Sequence, residues 1–167
     1  EVSKRLTTRD LVIMAFLTVL LYVGQVGMSF LPNIEIVSFL VILYTRFYKK
    51  KVFFIIYAFA LLEGLTYGFG VWWFGYLYVW SILAVLVLIL GNQESLAGWC
   101  VLSGGFGLAY GFLFAIPYFI VGGPASGFAY WIAGIPFDLL HGFGNVVVML
   151  LLYKPMTALF PKLVYHN

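Results

Sequence analysis

Val71–Leu90 reads VWWFGYLYVWSILAVLVLIL, twenty residues without one charged side chain. About 18 to 20 such residues suffice for an α-helix to cross the hydrocarbon core of a bilayer. Residues 11–31 and 99–121 are likewise free of charge. Of the 167 residues, 64% are hydrophobic and 9% charged, whereas a soluble domain carries about 25% charged residues. Too few polar side chains remain to clothe a soluble surface. The sequence therefore predicts an all-α integral membrane protein, with residues 1–167 forming a single membrane domain. The first run is too long for a secretory signal and ends without a small-residue cleavage site.

Working outward from these runs, turn and breaker residues divide the chain into about six spans, 11–31, 34–48, 52–68, 71–90, 99–121 and 128–153. The breaks are Pro32-Asn33, Lys49-Lys50-Lys51, Gly68-Phe69-Gly70, Gly91-Asn92-Gln93-Glu94 and Gly122-Gly123-Pro124. Pro136 inside the sixth span predicts a kink, or a loop that dips inward before the helix proper. With six spans, Lys4, Arg5, Arg9, Arg46, Lys49, Lys50, Lys51, Lys154 and Lys162 all fall on one side. The positive-inside rule then puts both termini in the cytoplasm. The nine basic residues are too scattered to mark a nucleic-acid surface. With Cys100 the single cysteine, no intramolecular disulfide or cysteine cluster can form, and no metal or cofactor is expected.

Polar side chains are costly in hydrocarbon and are therefore the candidate functional groups: Gln25, Asn33, Glu35, Glu63, Asp138, His141 and Asn145. Asp138, His141 and Asn145 recur at i, i+3 and i+7, which places them on one helical stripe. Asp138 and His141 are close enough in sequence to pair, and the stripe reads either as part of a ligand pocket or as a polar clasp between helices. Glu63, with Tyr67 one turn above it, needs a partner such as His141, a tyrosine hydroxyl or a ligand group. Glu35 reads equally as a helix-start charge and as the mouth of a pocket. Trp72, Trp73, Tyr76, Tyr78 and Trp80 crowd one half of the fourth span, and Tyr118, Tyr130 and Trp131 lie near the loop before the sixth. These rings fit an interfacial belt, and beside buried acids they also suit a small heteroaromatic guest. Gly107 and Gly111 form a G-x-x-x-G, read as close helix packing. No H-E-x-x-H, G-x-S-x-G or P-loop occurs.

Three stretches carry a resemblance. They are Arg9-Asp10-Leu11-Val12-Ile13-Met14-Ala15 opening the first span, Leu31-Pro32-Asn33-Ile34-Glu35-Ile36-Val37 entering the second, and Gly142-Phe143-Gly144-Asn145-Val146-Val147-Val148-Met149-Leu150-Leu151-Leu152-Tyr153-Lys154-Pro155 in the last. With the size and the span count, the chain resembles the substrate-binding S component of energy-coupling factor (ECF) vitamin transporters. The resemblance implies a bacterial plasma-membrane subunit that binds a vitamin or precursor on its outer side. It also implies partners, a membrane coupling subunit and two cytosolic ATPases that hydrolyse the ATP. Docking to the coupling subunit would use Ala15, Thr18 and Val19, where Val19 replaces the second alanine of the family's A-x-x-x-A. The pocket would draw on Glu35, Glu63, Tyr67, Trp72, Trp73, Asp138, His141 and Asn145.

The outer half holds no basic residue, which disfavours anionic guests and favours hydroxymethylpyrimidine, pyridoxine or thiamine, with riboflavin open. The competing classes are a small intramembrane enzyme using His141 and Asp138, a proton-coupled carrier using Glu63 or Asp138, and an assembly scaffold without a ligand.

Overall fold

The computed structural model describes residues 6–31, 33–91 and 93–165, with side chains described to residue 162. Lys4, Arg5, Pro32 and Asn92, used above for orientation and for breaks, lie outside the described residues. Among the described residues all regular structure is helical. The helices are α1 (Thr8–Gly27), α2 (Val37–Tyr48), α3 (Val52–Tyr67), α4 (Val71–Tyr76), α5 (Val79–Leu90) and α6 (Leu96–Tyr165), with one 3₁₀ turn at Lys49–Lys51. Three stretches are long and apolar enough to cross a membrane, Thr8–Gly27, Val71–Leu90 and Leu96–Lys162. α2 and α3, at 12 and 16 residues, are shorter than the roughly 20 residues a helix needs to do so alone.

α1 starts at a capping box. The Thr7 hydroxyl accepts from the Asp10 amide at 3.1 Å, and the Asp10 carboxylate accepts from the Thr7 amide at 3.0 Å. Two otherwise orphaned amides are thereby satisfied. The helix ends at Gly27, four residues short of the expected boundary, because tight turns take over through Leu31. α2 begins at Val37, where the Glu35 carboxylate accepts from the Ser38 amide at 2.8 Å. Ten of its twelve residues are buried, from Val37 to Tyr48. α2 thus forms the centre of the bundle, with α5 and α6 packed against it, and α1 packs mainly on α3.

The fourth run is not one straight helix. It breaks at Leu77 and Tyr78, whose amides donate to Phe74 and Gly75 carbonyls three residues back. α6 is two helices folded on each other. Gly123 has φ 75° and ψ 179°, a conformation open essentially to glycine alone. Pro124 follows, with its ring suited to a helix's first turn. The two arms, 96–122 and 124–165, then close as an antiparallel hairpin. Tyr118 stacks on Tyr130 at 4.1 Å, Gly111 meets Asp138, and Asn145 meets Ser103. The inward loop expected at Pro136 does not form, since the helix runs through it and Gly123 is the single residue inside α6 with non-helical φ/ψ. The second arm therefore starts at Pro124 rather than at residue 128.

The described basic residues gather at one end. Lys51 pairs with Asp10 at 3.2 Å. Arg46 donates to the Tyr153 hydroxyl at 2.6 Å and lies over the Trp99 ring at 5.2 Å. The N-terminus of α1, the Lys49–Lys51 turn and the late part of α6 therefore share a face, and the Gly123 turn lies at the other end of the bundle.

Candidate functional site

The end of the bundle away from the lysines is where α1 finishes, α2 starts, α3 finishes and α4 starts. Two adjacent cavities open there. The first, of about 260 Å³, is lined by Gln25, Asn33, Glu35, Trp80, Tyr110 and His141 among others. The second, of about 320 Å³, is lined by Gln25, Ser29, Glu63, Tyr67, Trp72 and Tyr76.

The predicted stripe on the last helix divides its work. Asp138 does not pair with His141. Its Oδ1 accepts from the Gly111 amide at 2.9 Å, because Gly111 has no Cβ and the carboxylate can come up against the backbone. A Cβ there would overlap the Asp138 carboxylate. Asn145 likewise donates from Nδ2 to the Ser103 carbonyl at 3.1 Å. Asp138 and Asn145 are therefore clasps between the two arms of α6, and neither lines the two cavities. Gly107 completes the seam against the Gly142 backbone, so the G-x-x-x-G serves internal packing.

His141 turns instead toward α2. Its Nε2 lies 2.9 Å from Glu35 Oε1, and both residues are buried. Glu35 thus joins the two roles that its sequence position left open, with Oε2 on the Ser38 amide at the helix start and Oε1 on the cavity histidine. Nε2 is engaged by Glu35, and Nδ1 lies outside that bond. Tyr110 stands edge-on to His141 with ring centroids 4.6 Å apart.

Glu63 is 2% exposed, and its Oε1 has no hydrogen-bond partner among the described residues. Of the partners the sequence offered, His141 is not one: its Nε2 meets Glu35, and its Nδ1 has no partner among the described residues. Tyr67, one turn on, is exposed at the rim of the same cavity. Trp72 lines this cavity, edge-on to Tyr76 at 5.2 Å. Trp73 does not line it: its indole N–H donates to the Ala60 carbonyl at 2.8 Å and fastens α4 to α3.

Sequence reasoning gave little weight to Gln25 and none to Ser29 and Tyr110, which line the cavities; Trp80 it read only as one ring in a crowd. A polar residue late in the first apolar run was the available signal for Gln25. Tyr110 carried none, because its place beside His141 depends on the hairpin register.

No family model, no curated protein and no solved structure matches the chain.

Four buried polar atoms on these walls lack a partner among the described residues: Gln25 Oε1, Glu63 Oε1, Trp80 Nε1 and His141 Nδ1. An unmet polar atom in an apolar surrounding costs about 1–3 kcal/mol. All four belong to residues that line the two cavities, with aromatic rings beside them. Far from this site, the expected docking face on α1 is split. Ala15 and Val19 are exposed, whereas Thr18 is buried and its hydroxyl donates to the Met14 carbonyl at 2.8 Å.

Proposed function

We propose that the chain is the membrane-embedded substrate-binding subunit of an ECF-type vitamin importer. In this reading it crosses the membrane six times, with the short α2 and α3 shielded by their neighbours, and keeps both termini in the cytoplasm. It takes a small heteroaromatic guest from outside, of the hydroxymethylpyrimidine, pyridoxine or thiamine kind. A coupling subunit and two ATPases supply the driving force, with Ala15 and Val19 on the exposed face of α1 available for docking.

The observation that carries the reading is Glu63, a buried carboxylate that lines a cavity with Tyr67, Trp72 and Tyr76 and has one oxygen without a partner among the described residues. A carboxylate held this way is poorly served without a donor, and a ring N–H, amino or hydroxymethyl group supplies one. The lining residues of both cavities include no lysine or arginine, which suits a guest without a phosphate or carboxylate. The basic residues at the opposite end agree with a site that faces outward when the positive end faces in.

The test is purification of the full chain in mild detergent, denaturation, and mass spectrometry of released small molecules, alongside thermal-shift titration with the three candidates. A stoichiometric heteroaromatic, or a shift that saturates with one of them, is the expected result. Protein free of any small molecule and indifferent to all three overturns the reading.

A further inference from the structure

The two cavities share a wall. Gln25 and Ser29 line both of them. The Gln25 amide is a weak partition, because its Nε2 donates to the Tyr76 hydroxyl over a stretched 3.3 Å and its Oε1 is buried without a partner among the described residues. Beyond it on one side stands Glu63 Oε1. Beyond it on the other stand Trp80 Nε1 and His141 Nδ1. All three lack a partner among the described residues, on side chains no more than 2% exposed.

We infer that the two cavities are the ends of one elongated site for a two-ended polar ligand, and that Gln25 is the residue that selects its length. The chemistry of the occupant follows from the walls. The Glu63 end takes an N–H or O–H donor, or a cationic nitrogen. The Trp80 indole N–H takes an acceptor at the other end, beside the His141 imidazole, whose Nδ1 is a further polar contact while Nε2 is held by Glu35. Gln25 Oε1 takes a donor from the middle of the ligand once the amide swings off Tyr76. Of the three proposed guests, the single rings hydroxymethylpyrimidine and pyridoxine fill one half and leave the other half's polar atoms unmet, so the site favours thiamine, whose two linked rings reach both. This inference deepens the proposed function and rests on it for the ligand, but the continuity of the site is testable without any ligand.

The experiment uses the full chain carrying Cys100→Ser, Glu63→Cys and His141→Cys, with Gln25 intact or replaced by alanine. Each protein is treated with hexamethylene bismethanethiosulfonate, and the intramolecular cross-link is followed by intact-mass spectrometry. Methyl methanethiosulfonate measures the reactivity of each thiol alone. If His141→Cys fails to give a monodisperse protein, Asn33→Cys on the same cavity takes its place. The cross-link is expected in both backgrounds and to form about two- to tenfold faster with Gln25→Ala, the factor by which one neutral hydrogen bond holds the amide in place. Two reactive thiols that never cross-link in either background mean separate cavities and overturn the inference. Equal rates with and without the amide overturn the role of Gln25. Neither outcome touches whether a vitamin co-purifies, so failure here and failure of the proposed function are told apart.

Discussion

Gly107→Ala probes the seam on which the Leu96–Tyr165 hairpin is built. A Cβ at Gly107 would lie 2.7 Å from the Gly142 amide nitrogen, 2.8 Å from the Gly142 Cα and 2.8 Å from the His141 carbonyl carbon. Ordinary contact begins near 3.4 Å, so the arms have to part by roughly 0.7 Å in a close-packed region. All three obstacles are backbone, and none can rotate aside. Overpacking of this sort costs about 1–3 kcal/mol, and backbone obstacles push it to the upper part of that range. Gly105→Ala is the matched control, two residues away on the exposed face with nothing within 4 Å of its would-be Cβ. Both variants gain the same helix propensity, about 0.8–1 kcal/mol, and this gain cancels between them. Gly107→Ala should therefore be less stable than Gly105→Ala by about 2–3 kcal/mol, or about 4–12 °C in Tm at roughly 2–4 °C per kcal/mol. Thermal unfolding of the two purified proteins in one detergent, followed by tryptophan fluorescence, reads the difference. Equal midpoints would refute the close apposition of the two arms.

Asp138→Ala should lower stability by about 1–3 kcal/mol through the lost Gly111 contact, while Asp138→Asn, which keeps a carbonyl oxygen for that amide, stays within about 1 kcal/mol of the parent in the same melt. Trp73→Phe should cost about 1 kcal/mol by freeing the Ala60 carbonyl and leave ligand affinity unchanged, whereas Trp72→Ala should weaken binding of the co-purified molecule; fluorescence titration separates the two. Glu35→Ala should cost about 1–3 kcal/mol, since it strips both the Ser38 amide and His141 of their acceptor, and Glu35→Gln, with one oxygen left, should restore part of the midpoint.

Much of the architecture was written in local chemistry. The break at Gly122-Gly123-Pro124 was legible because only glycine adopts φ 75° with an extended ψ and because proline opens helices. The lysine turn and the Gly68-Phe69-Gly70 break were legible for the same kind of reason. The break at Leu77–Tyr78 was not, since both residues are apolar or aromatic and nothing local distinguishes them from their neighbours. It belongs to tertiary packing, where Gly75 sits against the Phe114 ring and the Tyr78 hydroxyl reaches the Leu113 carbonyl. Helical periodicity put Asp138, His141 and Asn145 on one stripe, but it could not say what each would meet. Two meet backbone across the hairpin, and one meets an acid more than a hundred residues away. Glu63 was conspicuous as a charge in an apolar run. That His141, one of its possible partners, turns to Glu35 is visible only in the packed bundle.

The pair of clasps in α6 also bears on how the hairpin is assembled. Asp138 with Gly111 and Asn145 with Ser103 stand two turns apart along one groove. If one arm slid past the other by a single turn, both polar side chains would lose their mates together, and Gly107 would no longer sit opposite Gly142. Apolar helices offer few penalties against such slippage, because one greasy ridge fits a neighbour's groove about as well as the next. These two residues act as teeth of a key, rejecting misaligned pairings while the segment is being threaded into place and leaving one seating that the chain tolerates.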